Sequence, residues 1–229
     1  MPELSARAQR VVELITTSFS QILIPGLEIT IPLTLISFAL GLIIALFTAL
    51  VQVAGVRVLR QLARFYVWVF RGTPMLVQLY IVFYGLPKLG LVMDALPAAV
   101  IVFSLNTGAY ASETIRAAIE AVPAGQMEAG LCVGMSYMQI MRRIVLPQAL
   151  RTAFPPLSNS LIGLVKDTSL AANITVVEMF QATQRIAART MEPFILYCEV
   201  GVIYLLFCTV LTRVQRMCEK KMEKRGRSA

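Results

Sequence analysis

The sequence predicts an all-α polytopic membrane protein with five transmembrane helices, the N-terminus outside and the C-terminus in the cytoplasm. Three observations predict it. Of 229 residues, 57% are hydrophobic and 15% charged, against roughly 45–50% and 25% in average soluble chains, and the mean hydropathy is +0.72. A soluble domain of this length has too little interior for so many apolar side chains, which excludes a cytosolic enzyme. Apolar windows of about 20 residues, the length that crosses a bilayer as a helix, recur along the chain. Lys and Arg are distributed unevenly around those windows: fifteen of the 21 fall on one side and five on the other, the bias that marks a cytoplasmic face.

Residues 1–28 form an N-terminal segment in which Glu13, Thr16, Thr17, Ser18 and Gln21 alternate with apolar positions. They predict an amphipathic, interfacial helix on the outer surface, ending before Pro25-Gly26. Arg7, Arg10 and Glu13 shorten its apolar stretch, which weighs against a sixth span. A secretory signal is not expected here, because an apolar core followed by a small-residue cleavage site is missing. The transmembrane domain is expected over residues 29–212. Its first span, 29–53, is uncharged, and its second, 66–86, is interrupted by Arg71-Gly72-Thr73-Pro74 and expected to break or kink at Pro74. The third, 96–122, becomes polar halfway; the fourth, 157–180, carries Lys166 and Asp167 at its centre; the fifth, 194–212, carries Glu199. Arg57, Arg60, Arg64 and Arg71 follow the first span, Arg116 in the polar half of the third span and Arg142, Arg143 and Arg151 after it are counted on the same side, and seven basic residues fill the tail, residues 213–229.

The formal charge of +8 does not signal nucleic acid, since no reading module accompanies it and the tail is what a cytoplasmic terminus carries. The chain has no histidine, which removes the commonest metal ligand and general base. Cys132, Cys198, Cys208 and Cys218 contain no C-x-x-C pair and read as small apolar fillers or surface thiols. No metal site is expected.

Residues 123–153 are too polar to cross the membrane and too short for a domain. They predict two short helices, one over 124–133 ended by Gly134, the other capped by Ser136 and ending before Leu146-Pro147. On the second, Tyr137, Ile140, Met141 and Ile144 form an apolar stripe beside Arg142 and Arg143. By periodicity alone this is equally an amphipathic loop on the inner leaflet or a docking element. Glu128-Ala129, then Gly134, then Ile144-Val145-Leu146-Pro147 resembles the E-A-A…G…I-x-L-P signature of bacterial ABC importer permeases, with Gly130 in place of the usual second alanine. That resemblance implies the type I importer fold, with Glu128, Ala129, Gly134, Ile144, Leu146 and Pro147 in a coupling segment that docks on a cytoplasmic ATPase dimer. No G-x-x-x-x-G-K-[ST] phosphate loop occurs in the sequence, so ATP and magnesium are expected on those partner subunits and no cofactor on this chain.

The runs from Arg71-Gly72-Thr73-Pro74 to Gln78-Leu79, from Ser104 to Tyr110, Ser158-Asn159-Ser160, and Leu164 to Ala171 resemble the polar amino-acid branch of that family, most of all the L-cystine permeases. The resemblance implies a bacterial inner-membrane permease acting as a pair, most simply a homodimer in lipid, fed by an extracytoplasmic amino-acid-binding protein.

Polar groups in a span face the bundle interior or a water-filled cavity by default. Asn106, Tyr110 and Glu113 share one helical face at i, i+4 and i+7; Ser160, Gly163 and Asp167 share another, and Asn159, Lys166 and Asn173 a third. An amino acid offers an ammonium and a carboxylate. Asp167 or Glu113 suits the first, and Arg71, Lys166, Asn106 or Thr168 the second, with Thr73 and Gln78 beside the break at Pro74. The same residues admit structural roles: Arg71 snorkelling or pairing with Glu113, Lys166 and Asp167 tying helices or lining a gate, Asn106 and Tyr110 as interhelical hydrogen-bonding groups. A proton-coupled transporter built on Glu113, Lys166 and Asp167 is the rival of another class, disfavoured because no inverted repeat is detectable.

Overall fold

The computed structural model describes residues 2–53 and 56–227, with side chains within 7–222. Lys224, Arg225 and Arg227 of the basic tail, and the first six residues of the N-terminal segment, lie outside the described side chains. Regular structure among the described residues is helical throughout: α1 (Pro2–Pro25), α2 (Ile31–Val53), α3 (Arg57–Gly72), α4 (Met75–Tyr80), α5 (Ala95–Glu120), α6 (Ala124–Cys132), α7 (Tyr137–Ile140), α8 (Leu146–Asp167), α9 (Met179–Thr190) and α10 (Pro193–Arg227). Three helices are long and apolar enough to cross a bilayer, Arg7–Val53, Ala95–Glu120 and Pro193–Met222, or up to five if the broken pairs Arg57–Gly72 with Met75–Leu89 and Tyr137–Ile174 with Met179–Thr190 each count as one.

Three expectations about helix ends are corrected. Pro25-Gly26 does not end the first helix: a π-helical turn, Gly26–Thr30, carries the winding from α1 into α2. Leu146-Pro147 does not end the coupling segment's second helix, because a π turn over Met141–Val145 joins α7 to α8. A third π turn, Ile81–Gly85, extends α4. Each of the three ends two residues before a proline, at Pro32, Pro87 and Pro147. Proline lacks the N–H for the i−4 carbonyl and its ring collides with that carbonyl, and the wider π turn removes both conflicts without ending the helix. The fourth window, 157–180, is not one helix. After Asp167 it tightens into a 3₁₀ turn, Thr168–Ile174, and Thr175 takes a left-handed φ of 68°. Asn173 therefore does not keep the α-helical register expected with Asn159 and Lys166. The break at Pro74 is present: Thr73 is extended (φ −123°, ψ 145°) and α4 starts at Met75.

The chain divides into two compact units. One comprises the chain up to Ile36, Leu76–Val100 and Ile162–Thr212. Its core joins Ile22 of α1, Met179, Ile186 and Ala187 of α9, and Leu196, Val200 and Ile203 of α10. Ser18 Oγ of α1 donates to Glu199 Oε2 of α10 at 2.6 Å, so the carboxylate expected in the fifth span ties two helices.

The other unit comprises Ser37–Met75, Ile101–Leu161 and the chain from Arg213. Its core is rich in alanine: Ala45 and Ala49 of α2, Ala111, Ile115, Ala118 and Ile119 of α5, Ile140 and Met141, and Val145, Ala149, Ala153 and Leu157. Small residues let helix backbones approach closely where lipid supplies no hydrophobic drive. At Gly108 of α5 a β-carbon would lie 2.8 Å from Ile44 Cγ2 and from Tyr66 Oη.

Candidate functional site

The first group of candidate residues forms where the end of α3 meets the polar face of α5. Asn106, Tyr110 and Glu113 share one face of α5, as their spacing predicts, and that face meets the end of α3. Asn106 Nδ2 donates to Phe70 O at 3.4 Å, and Tyr66 Oη donates to Leu105 O. The Arg71 guanidinium lies 5.3 Å from the centre of the Tyr110 ring, within cation–π range, and 3.9 Å from Glu113 Oε2. Thr73 Oγ1 donates to Val69 O at 2.8 Å and finishes α3.

Glu113 is held more firmly by residues the sequence does not single out. Arg116 Nη2 donates to its Oε2 at 2.7 Å, and Gln52 Nε2 of α2 donates to Oε1 at 3.2 Å. Arg116 Nη1 also reaches both oxygens of Glu120 at 2.8 Å. Both Glu113 oxygens are thus committed to neighbouring side chains. A cavity of about 490 Å³ opens beside this network, lined among others by Arg60, Arg64, Trp68, Arg71, Glu113 and Arg116. Chemically, this end of the cluster offers a carboxylate a guanidinium flanked by a phenol ring.

The second group lies in the other unit. Lys166 is exposed and lines a groove of about 420 Å³ with Phe180, Tyr197 and Tyr204; the Phe180 and Tyr197 rings stack with centres 5.8 Å apart. Asp167 is half-buried, and no described residue donates a hydrogen bond to it. Thr168 is fully buried and its Oγ1 donates to Val165 O at 2.7 Å. Gln78 is buried within α4.

Glu178 was not visible as a candidate. Fully buried, it caps α9: its oxygens accept from the backbone N–H of Phe180 and Gln181, both at 2.8 Å, and Tyr204 Oη donates to Oε2 at 3.2 Å. It falls in the 157–180 window, where only the two central charges draw notice.

The coupling segment presents a different apolar face from the one its periodicity suggests. Ser136 caps the helix as expected, and Gln139 makes the cap reciprocal by accepting from the Ser136 backbone N–H; Gly134 has φ +77° and lies in the open. Ile140 and Met141 are buried in the alanine-rich core, with Ile144 and Leu146 packed against it. Leu131, Val133, Tyr137 and Met138 are instead exposed, Val133 by 75% and Met138 by 70%, beside exposed Glu128, Ala129 and Pro147. Gly130 has a packing reason: a β-carbon there would lie 2.7 Å from Ile140 Cγ1, so glycine lets α6 close on α7.

Membrane-length helices with charged groups among them and an exposed apolar connector define a polytopic membrane protein. The chain belongs to the family of binding-protein-dependent transport system inner membrane components, whose profile matches residues 38–224. It is 48% identical over 213 residues to the L-cystine transport system permease protein TcyB of Bacillus subtilis (strain 168), covering 93% of this chain and 91% of that one. It is 40% identical over 198 residues to the probable amino-acid ABC transporter permease protein YckA of the same organism, covering 86% and 88%. Among solved structures it resembles a chain of an amino acid ABC transporter crystallised with histidines, with a TM-score of 0.84, 30% identity and coverage of 90% and 96%. The fold is that of the type I ABC permeases, and the chain is an amino-acid ABC transporter permease subunit.

Proposed function

We propose that this permease carries L-cystine into the bacterial cytoplasm, with its N-terminus outside, its C-terminus inside, and ATP hydrolysed on partner subunits. The observation that carries the substrate is the 48% identity to an L-cystine permease across nearly the whole of both chains. Two copies of the chain pair in the membrane, receive cystine from an extracytoplasmic binding protein, and rest on two ATPase subunits that bind ATP and magnesium. The exposed patch of Leu131, Val133, Tyr137 and Met138, flanked by Glu128, Ala129 and Gly134, docks in the ATPase. Closure of the ATPase pair draws two such segments together, and the change passes along the continuous winding from α7 into α8 to the spans.

Cystine is a double zwitterion. Along the path, a cystine carboxylate suits Arg71, with Asn106 and Tyr110 alongside; separately, in the other unit, a cystine ammonium suits Asp167, whose carboxylate accepts no hydrogen bond from described residues. Glu113, saturated by Arg116 and Gln52, orients Arg71. The structural relative solved with histidines keeps a second reading open, a permease for arginine, histidine or glutamine.

Proteoliposomes containing the permease, its ATPase and its binding protein are expected to accumulate labelled cystine only with ATP. Uptake by the permease alone under a proton gradient would overturn the ABC mechanism, and stronger competition by arginine, histidine or glutamine than by cystine would move the substrate. Asp167→Asn is expected to reduce uptake at least several-fold with the ATPase still bound; unchanged uptake and apparent affinity would remove Asp167 from the path.

A further inference from the structure

Around one side of α3, guanidinium groups outnumber carboxylates. Arg57, Arg60, Arg64, Trp68 and Arg71 follow one another at steps of three and four residues, which places them within an arc of about 80° on one side of the helix. The cavity beside that side, about 490 Å³, is lined by Arg60, Arg64 and Arg71 from α3 and by Arg116, Glu113 and Glu120 from α5. Four guanidinium groups therefore face two carboxylates, and Arg116 engages both of those carboxylates at 2.7 and 2.8 Å. Arg64 is exposed and pairs with no carboxylate among the described residues. The cavity has a standing surplus of positive charge and room for an anion.

Next to the basic arc, about a third of a turn around the helix, α3 exposes an apolar face: Val58 is 66% exposed, Leu62 62% and Phe65 62%. Trp68, 70% exposed, stands at the border of the two faces with its ring centre 5.9 Å from that of Phe65. Amphipathic helices of this make, basic on one side and apolar on the next with an aromatic ring at the border, lie where headgroups meet acyl chains. A free inorganic anion satisfies the basic cavity and leaves the apolar face uncovered. A nucleic acid has no use for the apolar face either.

We infer that α3 and the cavity beside it form a binding site for an anionic phospholipid, its phosphodiester held by Arg60 and Arg64 and its acyl chains laid over Val58, Leu62 and Phe65. The site borders the substrate path, because Arg71 lines the same cavity, but its phosphodiester is held about two to three helical turns away, at Arg60 and Arg64. Its occupancy does not depend on ATPase, binding protein or cargo. Phosphatidylglycerol, with one net negative charge, is a sufficient ligand.

The chain supplies its own reporter, because Trp68 is its single tryptophan. The full-length protein is placed in phosphatidylcholine vesicles containing small mole fractions of phosphatidylglycerol or phosphatidylcholine brominated at carbons 6 and 7, and Trp68 emission is followed. Brominated phosphatidylglycerol is expected to quench at a several-fold lower mole fraction than brominated phosphatidylcholine, and the preference is expected to shrink in 0.5 M salt. Arg60→Gln with Arg64→Gln is expected to lower the preference roughly tenfold, in line with the attraction of each interfacial arginine for an anionic headgroup, while Arg64→Lys retains it. Millimolar inorganic phosphate is expected to leave the quenching unchanged. Equal quenching by the two lipids, a preference undiminished in the double variant, or its abolition by inorganic phosphate would each overturn the site; the last would mean a free-anion pocket. The comparison of lipids on the unmodified chain stands even if the double variant does not insert.

Discussion

Glu178 shows how much one carboxylate does when nothing solvates it. It satisfies two backbone donors at the start of α9 and a hydroxyl from α10 at once, so removing it takes the acceptor from three partly buried donors. Glu178→Ala is expected to destabilise the chain by about 2–4 kcal/mol, read as a lower thermal midpoint of the full-length protein in detergent, with Glu178→Gln milder because one carbonyl remains. Glu113→Gln is expected to cost less, about 1 kcal/mol, since the site is partly open to solvent and Arg116 keeps Glu120. The two glutamates also differ in legibility. Glu113 stands at a helical interval from Asn106 and Tyr110, so periodicity finds it and its face. What periodicity cannot find is a partner on another helix: Gln52 lies 61 positions away. Glu178 escapes because glutamate is an uncommon helix cap and its partners come from the tertiary fold.

Among the elements, the coupling segment separates what sequence encodes locally from what packing decides. The Ser136 cap and the turn at Gly134 follow from local chemistry and are where the sequence predicts. The stripe of Tyr137, Ile140, Met141 and Ile144 is also real, but its middle is consumed by the core, and the apolar surface left exposed is Leu131, Val133, Tyr137 and Met138. Periodicity marks a face as apolar without saying what covers it. Gly130→Ala is expected to destabilise by about 1–2 kcal/mol, because Ile140 is β-branched and stiff where the new methyl arrives; combined with Ile140→Ala, the two changes should cost less together than the sum of each alone, measured as a double-mutant cycle of thermal stability. At Gly134 the space is open and only the backbone resists. Gly134→Val is therefore expected to impair ATPase-coupled uptake more than Gly134→Asn, since asparagine tolerates a positive φ and a β-branched residue does not.

For the whole molecule, the class of fold was legible because membrane solvent imposes a length and a composition on every span. The windows located α2, α5 and α10 and the interruption at Pro74. The limits of the first helix were not legible: Arg7–Val53 runs 47 residues, about 70 Å, more than twice the hydrocarbon thickness. About half of it must stand outside the lipid core, and Ser18 and Ile22 are buried against other helices of their own unit rather than spread on a surface. The exposed patch proposed to dock the ATPase belongs to this scale too, because that use requires another subunit. Met138→Arg with Leu131→Arg is expected to reduce ATPase recovered with the purified permease at least several-fold, with the yield of folded permease unchanged; equal recovery would place the docking face elsewhere.

The three proline-linked π turns make stiff rods behave as jointed ones. An α-helix transmits torque because every peptide group is clamped to the turn before it; at Gly26–Thr30, Ile81–Gly85 and Met141–Val145 that clamp is looser by one residue, and the following proline supplies no donor to restore it. Amide hydrogens there should exchange with deuterated solvent faster than those a turn to either side, at positions where a hydropathy plot shows nothing but unbroken helix. A joint at Met141–Val145 lies directly between the exposed apolar patch and α8, so a partner that docked there would act on α8 through a compliant element.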